Sequence, residues 1–114
     1  MTQRILVSIV LLAMAVAPSV AEPTWRLNGD ESEYSYYCKG DDWVTIEGKH
    51  NALTITGECA VLEVAGSDNR ITIESVGTIR IHGNNNDVGY ERGAKGKAKP
   101  VFKIRGSANS VRRD

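Results

Sequence analysis

The side chains able to do chemistry are few and widely scattered. His50 and His82 are the only histidines, and Cys38 and Cys59 the only cysteines. A zinc site needs about four converging ligands. The two histidines fall at unlike places in the local pattern, so spacing assigns them no metal. Asp41, Asp42 and Asp68 are the acidic residues nearest to turns, where calcium takes its oxygen ligands. They do not recur at a fixed interval. No G-x-S-x-G, S-x-x-K or H-E-x-x-H motif occurs, so no nucleophile or metalloprotease site is signalled. Glu63, Glu74 and Glu91 are the carboxylates on which acid–base work on a sugar would draw. Arg92, Lys95, Lys97 and Lys99 form the one basic cluster, suited to contact with an anionic polymer or lipid headgroups. A solvated loop would look the same. No catalytic residue, cofactor or metal ligand is assigned.

What must position these residues is small. The chain has 114 residues, zero formal net charge, 41% hydrophobic and 25% charged residues. That is one domain; it excludes a multidomain enzyme and gives no sign of nucleic-acid binding. Residues 1–21 read as a cleaved signal peptide. Arg4 begins it, Ile5 to Ala17 is apolar, and Ser19-Val20-Ala21 offers small residues before the cut. The apolar run is too short to span a bilayer. The mature chain 22–114 is therefore expected in the periplasm or outside the cell, and not membrane-spanning. Its charge is uneven. Residues 22–69 carry 3 basic and 10 acidic side chains, residues 70–114 carry 10 and 4.

An internal repeat organises the mature chain. Four segments, starting at Val44, Leu62, Ile79 and Phe102, share the pattern φ-x-φ-x-G-x-x-N-x-φ-x-φ, with φ apolar except for the last place of the fourth copy, which is Arg113. Its glycines are Gly48, Gly66, Gly83 and Gly106; its asparagines are Asn51, Asn69, Asn86 and Asn109. The φ-x-φ pieces are period-two strands rich in β-branched residues. Glycine permits a positive φ at a corner. Asparagine tolerates left-handed geometry and can build a hydrogen-bonded ladder between copies. One copy cannot bury its own apolar face, but a stack can.

The expected fold is all-β: a small right-handed β-solenoid-like domain of about four coils, with rungs about 4.8 Å apart. Its inward columns are Val44, Leu62, Ile79, Phe102; Ile46, Val64, Ile81, Ile104; Leu53, Ile71, Val88, Val111; and Ile55, Ile73, Tyr90. Glu63 and Arg80 would be outward neighbours. An antiparallel β-sandwich, with Gly/Asn turns closing hairpins, is the alternative. Residues 22–42, with Trp25, Tyr34, Tyr36 and Tyr37, read as an N-terminal cap, since solenoid ends need covering. The repetitive domain is 43–114, interrupted by a basic loop at 91–100. In-register stacking brings Cys38 and Cys59 within disulfide range, in a compartment that permits the bond.

The run C-K-G-D-D-W-V-T-I-E-G-K-H-N-A-L-T-I-T-G-E-C from Cys38, followed by the A-G-S-D-N-R-I-T-I, H-G-N-N-N-D-V-G-Y and R-G-S-A-N-S-V copies, resembles the bacterial family called domain of unknown function 3060. The likeness covers about 38–112. It implies an exported envelope protein with a repetitive β-fold and carries over no catalytic residue. The expected function is a non-catalytic binding or interaction module for an envelope polymer or another exported protein. The alternatives are a small carbohydrate-active hydrolase or lyase using Glu63 and Glu74 near Arg80, and a self-assembling structural unit.

Overall fold

The computed structural model describes residues 22–114; the expected signal peptide lies outside the described residues. Seven strands form one parallel sheet that winds on itself: β1 (Trp25–Asn28), β2 (Glu33–Lys49), β3 (Ala52–Ser67), β4 (Arg70–Asn84), β5 (Asp87–Gly93), β6 (Val101–Arg105) and β7 (Ser110–Arg113). The order is β1-β2-β3-β4-β5-β7, with β6 also on β4. Every pairing is parallel. This is a β-solenoid and not the sandwich, whose hairpins would pair antiparallel.

The longer strands bend at corners while staying paired, so one strand covers more than one side. The first side stacks Trp25, Val44, Leu62, Ile79 and Phe102 in one column. The second stacks Tyr34, Leu53, Ile71, Val88 and Val111. The third holds the disulfide and the basic loop. Each of the first two sides therefore carries five rungs. The fifth comes from the segment read as a cap, where W-R-L-N-G-D-E-S-E-Y-S-Y repeats the pattern with Ser32 in the asparagine place. Trp25 stacks on Tyr36 at 4.9 Å and meets Tyr34 edge-on at 6.1 Å, closing this end.

The core is the set of inward columns. Val44, Ile46, Leu62, Val64, Ile73, Ile79 and Val88 have no exposed surface at all. The last rung departs from the expected columns. Phe102 is 40% and Ile104 44% exposed, because no further coil covers them among the described residues.

Each turn position has its own cause. The residue two places after the repeat glycine, not the asparagine, takes the left-handed conformation: His50, Asp68, Asn85 and Ala108 have φ of 56° to 59°. Glycine is demanded chiefly by close approach. A Cβ on Gly66 or Gly83 would lie 1.9 or 1.8 Å from the carbonyl oxygen of the glycine one coil earlier. The asparagines form the ladder. Asn51, Asn69 and Asn86 are buried. The backbone N–H of each donates to Oδ1 of the next asparagine at 3.0–3.1 Å. Each Nδ2 donates back to the glycine carbonyl of the preceding coil, as from Asn69 to Gly48 at 3.0 Å. The ladder thus satisfies buried backbone groups at a corner that no strand pairing reaches.

Candidate functional site

Cys38 and Cys59 form a disulfide, with Cα atoms 5.2 Å apart and a sequence separation of 21. Cys38 pairs with Gly57 and Cys59 with Asp42, so the strand irregularity around Gly40 and Asp41 absorbs their unequal offsets from the repeat. Asp42 is buried beside them. It accepts the Tyr36 hydroxyl at 2.6 Å and the Lys39 N–H at 3.0 Å. The Tyr36 hydrogen bond holds the Asp42 carboxyl below its usual range and in turn raises the Tyr36 phenol. This cluster ties the first coil to the second.

The four basic residues of the 91–100 segment are placed differently: Arg92 is in an ion pair and the three lysines line a recess. Arg92 lies back on the third side, 3.0 Å from Glu74 and 3.9 Å from Glu91. Glu74 also accepts the Gly57 N–H at 2.8 Å. That bond, with Arg92, holds its carboxyl below the usual range. The loop itself is folded. Gly93 N–H donates to the Lys97 carbonyl, Lys97 N–H to the Ala94 carbonyl, and Lys95 N–H to Glu58 Oε1. Lys95, Lys97 and Lys99 line a recess of about 230 Å³ with Asp41 and Ala60.

A second basic surface lies on the first side. Strand alternation turns Arg80 and His82 outward from β4, and register sets Lys103 beside Arg80 and Arg105 beside His82. With Glu63 and Ile81 they line an open groove of about 270 Å³. Among the described residues, no carboxylate forms an ion pair with Arg80, Lys103 or Arg105. Glu63 is the register neighbour of Arg80, but its carboxylate takes the Thr45 hydroxyl at 3.4 Å. The Arg80 guanidinium instead lies over the Trp43 ring at 5.8 Å, and its buried Nε has no acceptor among the described residues. A ring face of this kind steadies a cation without neutralising it.

These four residues are missed as a site by motif reading because they come from two distant segments. The available signal was columnar: both outward columns become basic in the third and fourth copies. The carboxylates expected to flank Arg80 do not meet, since Glu63 is on the groove and Glu74 on the third side with Arg92. His50 sits apart at a turn, 3.9 Å from Asp68. Among the described residues no three His, Cys, Asp or Glu side chains converge as a metal site.

Neither the curated proteins nor the solved structures offer a match to this sequence. The model of a family described as "Protein of unknown function (DUF3060)" matches residues 46–108. That stretch begins inside the second rung of the first side and ends in the last turn, so it takes in three complete glycine–asparagine corners and the whole lining of the groove. It covers more than half of the sequence, and the chain belongs to the DUF3060 family.

Proposed function

We propose that this protein is an exported, non-catalytic binding module that holds an anionic polymer against the C-terminal half of its first side. The observation that carries this reading is the groove in which Arg80, His82, Lys103 and Arg105 converge on two adjoining rungs, without carboxylate ion pairs among the described residues. Cations fixed on neighbouring strands about 4.8 Å apart suit a ligand with repeated phosphate or carboxylate groups. The lysines of the 94–99 turn lie on the adjoining third side and extend the same positive field. The first-coil disulfide is compatible with export.

The test is binding of the oxidised chain 22–114 to polyphosphate, polygalacturonate and neutral dextran. Saturable binding to a polyanion but not to dextran is expected. It should weaken as salt rises from about 50 mM to several times the physiological level. The double substitution Lys103→Glu, Arg105→Glu, at exposed positions, should abolish it while leaving the melting temperature near that of the parent. Equal binding by the charge-reversed protein would overturn the reading. The two polyanions separate phosphate from carboxylate recognition.

A further inference from the structure

We infer that the C-terminal edge of the solenoid receives the N-terminal coil of a second copy of this chain, so that the repeat continues in register from one molecule into the next. The inference does not depend on the proposed polymer groove. It begins with Gly29. This residue occupies the repeat glycine place of the first coil, yet the fold asks nothing of it there. Its φ lies outside the left-handed region that the other repeat glycines occupy. A Cβ on it would meet only Ser32 Oγ, at an ordinary 3.5 Å. At Gly48, Gly66, Gly83 and Gly106 the same Cβ would lie 1.7–1.9 Å from the carbonyl oxygen of the coil before. A glycine at 29 is required only if another coil precedes it.

The last coil offers that surface. Val101, Phe102 and Ile104 are 57%, 40% and 44% exposed. Among the described residues, β6 pairs only with β4 and β7 only with β5, so each keeps one unpaired edge. Register continuation would set Trp25 of a second copy on Phe102 and its Leu27 on Ile104. It would also set its Ser32 beside Asn109, where a hydroxyl can accept the backbone N–H that the ladder otherwise gives to the next asparagine. Charge selects this pairing over two like ends. The last coil carries Lys103, Arg105, Arg112 and Arg113 against Asp114, and the first carries Glu22, Asp30, Glu31 and Glu33 against Arg26 and Lys39. Two C-terminal ends would repel, whereas an acidic first coil on a basic last coil attracts. The contact joins unlike surfaces, so it propagates and does not close at a dimer.

The test measures the mass distribution of the chain 22–114 by sedimentation across a wide concentration range. Species larger than a dimer should grow with concentration and shrink with salt. Gly29→Ala should leave the protein monomeric without moving its melting temperature, because within one molecule the new methyl group makes only an ordinary van der Waals contact with Ser32 Oγ. Mixing Asn28→Cys with Arg105→Cys protein should give a disulfide-linked heterodimer, since these positions would share a rung step. A parent protein that stays monomeric throughout, or a Gly29→Ala protein that assembles as the parent does, overturns the inference. So does crosslinking of Arg105→Cys to itself in preference to Asn28→Cys.

Discussion

At the N-terminal end Trp25 packs on Tyr34 and Tyr36, Leu27 is 7% exposed, a disulfide binds the first coil to the second, and the buried Asp42 braces the first coil through Tyr36 and Lys39. At the C-terminal end the same repeat places hold Phe102 and Ile104, both largely open, and every residue of β6 is exposed. The pattern φ-x-φ-x-G runs through both ends, so pattern alone does not decide burial. A residue on an inward column is buried where a coil, or an aromatic cover, lies on either side of it. The N-terminal coil compensates with large aromatic side chains and a covalent bond. The C-terminal coil has no covalent tie, and its one aromatic, Phe102, meets Tyr90 but stays open.

The sharpest way to break this contrast is a pair of isoleucine truncations, one on an interior rung and one on the open rung. Ile71→Ala in an interior rung should cost about 2–5 kcal/mol as a buried deletion. Ile104→Ala, on the open rung, should cost under about 1 kcal/mol. Chemical denaturation of both variants measures this, and equal losses would erase the distinction between the ends. Removal of the disulfide by Cys38→Ser, Cys59→Ser should cost about 3 kcal/mol on the loop-entropy account. Hydrogen exchange should then speed up in β1 and β2 before β6 and β7 change. A uniform rise would show that the bond does not act on the N-terminal end in particular.

The ladder supplies a smaller contrast. Asn69→Ala takes the side-chain partner from the Asn51 N–H and the Gly48 carbonyl of the preceding coil, at about 1–3 kcal/mol. Asn109→Ala, half-buried at the last turn, should cost less, and matched melting shifts would contradict a continuous ladder. Acid gives the smallest effect. Asp42 and Glu74 both have lowered pKa values in the fold. Their contribution is complete above the ordinary values of 3.8 and 4.5, and is lost as pH falls through the lower folded values. Tyr36→Phe removes the main cause of the Asp42 shift, so the fall in stability as pH drops below about 4 should flatten. An unchanged acid profile would show that Asp42 does not depend on the phenol.

Much of the architecture was legible because the repeat carries it. The glycine and asparagine places, the inward columns from Val44 to Val88 and the Cys38–Cys59 pairing all follow from stacking the copies in register. The first coil was legible only in part, since Ser32 stands where asparagine was sought and aromatics stand where aliphatics were. The left-handed residue was misplaced by one position, because the asparagine type suits αL but its side chain is committed to the ladder. The groove was the least legible feature. Arg80 and Lys103 are 23 residues apart, and the basic loop at 91–100 lies between them. A linear reading saw the charge density of the loop. It did not see that Arg92 is neutralised by Glu74, or that sparser cations line up across the sheet.

The 91–100 insertion also bears on how such a chain can change. Thr78 pairs directly with Val101, as Val61 pairs with Thr78 one coil earlier, although the intervening step is longer. The extra residues leave the stack sideways from the third side and return without disturbing either neighbour. Length there is uncoupled from the pitch of the coil. That corner is therefore an insertion cassette, where residues can be exchanged, lengthened or grafted while the rungs above and below keep their alignment.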